Sequence, residues 1–326
     1  MLTVLLATRN RAPILADVLE AYCRLAPLTT DWKLVVVDNG SSDQTADVLA
    51  AFSARLPLLS VLEPRRGKNL ALNTGLQFAE GDLIVFTDDD AFPQTEWLIQ
   101  LRRAADSQSD YSVFGGVVVP RWETPAPDWI RWVMDSSNVA CDDWELRAGP
   151  VYSITDPSLE EGPILPYFVF GPNMAIRSRI LESGIRFDPS IGPRGSAYPM
   201  GGETRLLLQL NQQGHRAWHV RRAVVEHLIR DEQLKKAWVL ERAVRYGRGQ
   251  YRLFHMDELN TRKLWTGMPP KLFRRMVNAG VRLVKALISF RQESVFRALW
   301  GLNYFRGQLM EARTLARENR AQTGLT

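Results

Sequence analysis

The chain has 326 residues, of which 45% are apolar and 24% charged, with a formal net charge of +5. That length and apolar content supply one large domain or two smaller ones with ample core, and exclude a disordered or fibrous chain. Two cysteines, Cys23 and Cys141, are too few for a disulfide framework and lack metal-ligand spacing, so both read as reduced, buried thiols, and no apolar run reaches the roughly 18 residues of a membrane-spanning helix.

The opening residues, "MLTVLLATRNRAP", read as strand and loop rather than signal peptide, which makes the expected location cytoplasmic. Short apolar runs then alternate with helix-period segments: "LTVLLA" and 13–25, "KLVVVD" and 43–56, "LLSVL" and 68–79, "DLIVFT" and 95–106. This repeated βα pattern predicts a parallel-rich sheet, and the unbroken apolar run Leu34 to Val37 predicts a strand covered on both faces. The segment "VFGGVVVP" continues as a strand. It is followed by a segment with Trp122, Trp129, Trp132 and Trp144, read as an insertion whose indoles serve packing before sugar stacking. "FVFGPNMAIR" predicts a strand, "ETRLLLQLNQQG" a helix and "AWHVRRAVVEH" a strand, and the chain beyond His227 is helical, broken near "TGMPP".

Ligands of open parallel sheets bind beyond the carboxyl ends of the strands. Acidic residues stand at two such ends, Asp38 after "LVVV" and Asp88, Asp89 and Asp90 after "LIVFT". Three adjacent carboxylates raise one another's pKa and repel unless something positive joins them, and a divalent metal is one candidate. A helix cap or solvated turn is the alternative reading of "TDDD", and an Asx-turn with Asn39 and Gly40 that of Asp38. The first βα turn, "ATRNRAP", has no glycine, which excludes a Rossmann dinucleotide site, and a P-loop is absent.

The ordered set "ATRN", "VVVDNGSSDQT", "GKNLALNTG" and "TDDD" resembles the family 2 glycosyltransferases, inverting nucleotide-sugar enzymes, over residues 1 to about 250. The resemblance implies an α/β fold of GT-A type: a mostly parallel mixed sheet flanked by helices, with a C-terminal helical extension. It places a catalytic domain at 1–227, with a nucleotide-binding half at about 1–120 and an acceptor-side half at about 121–227, and a basic extension at 228–326. It implies that Ala7, Thr8, Arg9, Asn10 and Asp38 hold the nucleoside, that Lys68 and Asn73 close over base and phosphates, and that Asp88 and Asp89 contact the nucleotide. Asp88, Asp90 and His227 would bind the metal; His227 stands in the segment where some members supply a histidine, ahead of an Arg-Tyr-x-x-Gly-like helix. A nitrogen ligand favours Mn2+ over Mg2+. In "YPMGGETRLLLQL" many members show Glu-Asp, with the aspartate as base; here Thr204 takes that second position, and the base role falls to Glu203 or stays open. An acid at a helix N-terminus is the structural alternative.

The expected activity is transfer of a sugar from a nucleotide diphosphate, UDP first, to a hydroxyl acceptor of a glycan, lipid or polysaccharide precursor. The alternatives are a sugar-phosphate nucleotidylyltransferase, which would carry a glycine-rich first loop, and a non-catalytic adaptor for membrane or polymer with a decayed site. Residues 1–227 carry 21 Lys+Arg against 28 Asp+Glu, and residues 228–326 carry 20 against 8, leaving the parts at −7 and +12. The basic part suits an anionic surface, whether membrane headgroups, nucleic acid or a phosphorylated substrate, although the resemblance calls for no nucleic acid. From Lys271 onward, Leu272, Met276, Val277, Val281, Val284, Leu287 and Ile288 fall near one helical face among Arg and Lys. Such a helix lies on anionic lipid at the inner membrane face, docks on the catalytic domain, or pairs with its neighbour.

Overall fold

A computed structural model of the chain describes residues 1–135, 144–193, 195, 198–256 and 268–323; Cys141 lies outside them. The chain forms two compact units. One comprises Met1–Trp122, Tyr152–Ser190 and Gly202–Ile229, and the other Glu123–Val151, Ile191–Gly201 and Arg230–Thr326.

The first unit opens with β1 (Leu2–Thr8), α1 (Ala12–Tyr22), β2 (Trp32–Asp38), α2 (Thr45–Ser53), β3 (Leu58–Leu62), α3 (Lys68–Gly75), β4 (Leu83–Phe86), β5 (Ala91–Pro93) and α4 (Trp97–Ser107). β6 (Val113–Trp122) follows, and the second unit contributes α5 (Arg131–Met134) and α6 (Ala148–Tyr152), the last residue of which returns the chain to the first. There, β7 (Gly162–Ile164), β8 (Met174–Arg177), α7 (Ser178–Glu182), α8 (Gly202–Gln212) and β9 (Ala217–Ile229) complete the sheet. Its order is β3-β2-β1-β4-β8-β6-β9-β5, with β7 also on β9. The first four strands are parallel, β8 runs against both β4 and β6, β6 and β9 are parallel, and β5 and β7 run against β9. This is the expected mixed sheet.

The predicted βα alternation is present because the apolar runs of β1, β2 and β4 are largely buried, whereas β3 at the sheet edge keeps Leu62 exposed. Leu34, Val35, Val36 and Val37 are each 0% exposed, and burying such side chains stabilises the sheet by roughly 1.5–3 kcal/mol apiece. The strand expected over "FVFGPNMAIR" is shorter, beginning only at Met174 after a turn at Gly171–Asn173. Pro172 has no N–H for a ladder, and Asn173 has another task.

That task is to fill a break in the sheet. The β6–β9 register jumps from Gly116↔Val220 to Val117↔Val224, leaving Arg221, Arg222 and Ala223 extra on β9. Asn173, buried completely, donates from Nδ2 to Val117 O and Ala223 O, both at 2.9 Å, and accepts from Trp97 Nε1 at 2.8 Å. Gly116 makes room for it, since a Cβ there would meet Asn173 Nδ2 at 2.3 Å and Ala223 O at 2.4 Å. Asn173→Ala leaves three buried polar groups unpaired, and is expected to lower unfolding free energy by roughly 2–5 kcal/mol in urea titration. A loss within experimental error would show that the break is held by packing alone.

The second unit is helical: after α5 and α6 come α9 (Lys236–Phe254), α10 (Pro270–Ile288) and α11 (Gln292–Thr323). Tyr251, Leu272, Ala279, Tyr304, Phe305, Ala312 and Leu315 form its core. Glu311 of α11, fully buried, takes Arg248 Nε at 2.8 Å and Arg252 Nη2 at 2.5 Å, so two of the basic residues are consumed internally. The tryptophans pack as expected: Trp129 and Trp132 stand within 6.3 Å of each other and around Phe296, Trp144 lies beside Phe305, and in the first unit Trp122 meets Tyr152 edge-on. Because the chain beyond Lys271 supplies part of this core, it is not a detachable tail.

Candidate functional site

Three parallel strands end at one edge of the first unit, β1 at Thr8, β2 at Asp38 and β4 at Phe86, and the acidic run follows β4 at once. The carboxylates are not left to repel one another, because cations stand among them. Arg11, just ahead of α1, reaches Asp89 Oδ1 at 3.1 Å and Asp90 Oδ2 at 2.5 Å through Nη1. Thr8 Oγ1 donates to Asp89 Oδ2 at 2.7 Å. Lys68, the first residue of α3, places Nζ 2.6 Å from Asp88 Oδ1 and 2.7 Å from Glu203 Oε1, and so joins the acidic run to the start of α8.

His227 arrives through strand register. β5 pairs Ala91 with His227 of β9, which sets the imidazole beside Asp90, with Nε2 3.3 Å from Asp90 Oδ1. Its Nδ1 lies 2.8 Å from the Tyr152 carbonyl oxygen. A carbonyl can only accept, so Nδ1 carries the proton and Nε2 is the atom turned to the carboxylates. Burial works against the imidazolium, but Asp90 outweighs it and raises the His227 pKa above the ordinary histidine value. Burial likewise opposes charge on Asp90, yet His227 and Arg11 hold that carboxyl well below the usual range. Burial pushes Asp89 up instead. For Lys68, the carboxylates of Asp88 and Glu203 overcome burial and raise the pKa, so the ammonium stays charged.

Asp88, Asp90 and His227 each offer one ligand atom, and these atoms lie within 4.8 Å of one another. The set fits a divalent cation on two further grounds. Two carboxylates and an imidazole are a donor set that a divalent metal ion accepts, and the Tyr152 carbonyl fixes the tautomer that leaves Nε2 to ligate.

Glu203 lies in the first turn of α8 and depends on close approach at Gly171, where an added Cβ would fall 2.9 Å from Glu203 Oε1. The other expected residues are placed as follows. Ala7 is inside β1, paired with Val37. Arg9 donates to Asn39 O at 2.6 Å. Asn10, at φ 51°, accepts from Ser42 N at 2.7 Å through Oδ1. Asp38 Oδ1 accepts from Ser41 N at 2.8 Å, the Asx-turn weighed against nucleotide binding. Asn73 donates to Phe187 O at 2.8 Å and accepts from Phe187 N at 3.0 Å, a tie to the loop ahead of Ser190 rather than to the acidic run.

Two residues that the sequence reading passed over shape the site. Arg11 neutralises two aspartates, and only its position two residues beyond "ATR" hinted at this. Asn39 donates to Glu63 O at 2.8 Å and Arg65 O at 2.7 Å and accepts from Gly67 N at 2.8 Å, which fixes the approach to Lys68.

Residues 3–159 match the family model described as glycosyl transferase family 2. The first half of the chain thus carries a domain of this family. It is 21% identical over 267 residues to Glycosyltransferase AglE of Haloferax volcanii, a match covering 81% of this chain and 77% of that protein. The mannosyltransferase PcManGT from Pyrobaculum calidifontis, solved with GDP-Man and Mn2+, aligns over 98% of this chain and 87% of its own at a TM-score of 0.58 and 19% identity. S. aureus TarS 1–349, solved with UDP, aligns over 96% and 91% at 0.53 and 14%. At these identities the structures share the fold, which is of GT-A type. These likenesses support an enzyme of the glycosyltransferase class, as expected.

Proposed function

We propose that this glycosyltransferase moves a sugar from a nucleotide diphosphate, UDP first, to a hydroxyl acceptor of a glycan, lipid or polysaccharide precursor by a single inverting displacement. The observation that carries this reading is the meeting of Asp88, Asp90 and His227 within 4.8 Å at the end of β4, joined to Glu203 through Lys68. The mannosyltransferase neighbour is solved with Mn2+ and GDP-Man, and TarS with UDP, which supports a metal-assisted nucleotide-sugar donor without choosing the base.

Asp88, Asp90 and His227 would hold the divalent cation, which when bound supplies Lewis-acid stabilisation of charge on the leaving diphosphate. Arg11 holds Asp89 and Asp90 in place, and Thr8 orients Asp89. Glu203 takes the proton of the acceptor hydroxyl as its oxygen attacks the anomeric carbon, on the side opposite the leaving group. Lys68 grips one oxygen of Glu203 and one of Asp88, so the base keeps a fixed place relative to the acidic run. A displacement with one nucleophile inverts the anomeric centre.

Thermal-shift screening of UDP-, GDP- and dTDP-sugars with Mn2+ tests the donor, since a ligand that binds only the folded state raises its apparent stability. The expected result is a metal-dependent rise with a UDP-sugar. A rise with GDP-sugars alone would overturn the nucleotide, and no rise with any of them would overturn the donor class.

A further inference from the structure

The helix α10 has more apolar surface than its packing uses. Leu272, Ala279 and Ala286, seven residues apart, are buried within the second unit. Around the helix from them, Phe273, Val277, Val281, Val284 and Ile288 follow at spacings of three or four. They form a stripe that is between 47% and 69% exposed, and Phe290 just past the helix is 91% exposed. Leu272 and Val281, grouped on one face from the sequence, stand nine residues and so about 180° apart around the helix, and in the structure the first is docked and the second bare. Isolated apolar residues on a surface are ordinary, but a continuous stripe along a 19-residue helix, about 28 Å long, marks an interaction surface.

The chemistry of its border selects the partner. Between Lys271 and Arg291 the chain carries six basic residues and no acidic one. Lys271, Arg274 and Lys285 are exposed along one side of the stripe, and Arg291 follows its end. Among the described residues none of Lys271, Arg274 and Lys285 is ion-paired, unlike Arg248 and Arg252, which Glu311 takes up. A protein partner for this face would need carboxylates around an apolar ridge, whereas an anionic bilayer presents both layers at once, charge at the headgroups and hydrocarbon beneath. No helix among the described residues is long and apolar enough to cross a membrane, so the contact is with the surface.

We propose that the exposed face of α10 is a docking surface for an anionic lipid bilayer. Phe273, Val277, Val281, Val284 and Ile288 enter the boundary between headgroups and acyl chains, and Lys271, Arg274 and Lys285 lie among the headgroups. The proposal does not depend on the choice of donor or base.

The test is co-sedimentation of the full chain with phosphatidylglycerol–phosphatidylcholine vesicles and with phosphatidylcholine alone, at low and high salt. The wild type is expected to bind the anionic vesicles, and less well as salt rises. Lys271→Glu, Arg274→Glu and Lys285→Glu together should weaken binding by about 100-fold or more, at the worth of a basic side chain beside an anionic leaflet. Val281→Ser with Val284→Ser, which leaves the buried edge of α10 intact, should weaken it by about tenfold. Both variants should keep the wild-type melting temperature and its donor-dependent shift, which separates this test from that of the reaction. Absence of binding at low salt overturns the proposal, as does equal binding by wild type and both variants. A lipid-free dimer in sedimentation velocity that the serine variant dissociates also overturns it, since the face is then covered by a second copy.

Discussion

Glu203→Gln is expected to lower kcat by about 10²- to 10⁴-fold, the range for loss of a general base, while donor affinity stays at the wild-type level. Glutamine keeps the size of the side chain and an oxygen that can still accept from Lys68 Nζ, which stands 2.7 Å from Oε1. The contact with Gly171, where there is no space for a Cβ, also survives an isosteric change. What glutamine cannot do is accept the acceptor's proton. Steady-state turnover and donor affinity measured on one preparation separate the roles. Near-wild-type turnover assigns the proton to another group, and joint loss of turnover and donor binding makes Glu203 part of the donor site.

Asp90→Asn is expected to reduce kcat/KM by about a thousandfold, because a cation held as proposed by Asp88, Asp90 and His227 would supply several kcal/mol of leaving-group stabilisation. The fold should also suffer. From sequence, three crowded carboxylates predict that removing one relieves repulsion in the metal-free protein. In the structure Asp90 faces Arg11 at 2.5 Å and His227 at 3.3 Å, so its loss strips two partly buried basic groups of a partner. Stability should therefore fall, by about 1–3 kcal/mol, rather than rise. A higher melting temperature for Asp90→Asn without metal would restore the repulsion argument.

Much of the fold was legible because its signals are local. The run Leu34–Val37 could only be a doubly covered strand, and "TDDD" after "LIVF" could only mark a strand end. The site was legible where residues adjoin in sequence, as with Asp88 to Asp90, and through the ordered motifs that carried the resemblance. What escaped depended on contacts distant in sequence. The approach of Arg11 to Asp89 and Asp90 crosses 78 and 79 positions, and Lys68 meets Glu203 across 135. In the sequence the resemblance alone groups His227 with Asp88 and Asp90, since it reaches Asp90 by the antiparallel register of β5 and β9, set beyond a break that Asn173 fills. No periodicity encodes such a jump. Asn73, by contrast, lies in the right motif but spends its amide on Phe187, a bond that sequence spacing cannot reveal.

The most direct measurement is calorimetric titration of UDP, with and without Mn2+, into the wild type and Asp90→Asn under one buffer. If Asp88, Asp90 and His227 hold the cation that carries the donor diphosphate, the wild type binds UDP tightly only with Mn2+, and Asp90→Asn shows the weak metal-free affinity under both conditions. Equal UDP affinity with and without Mn2+ in the wild type, or an undiminished Mn2+ effect in Asp90→Asn, would contradict the account.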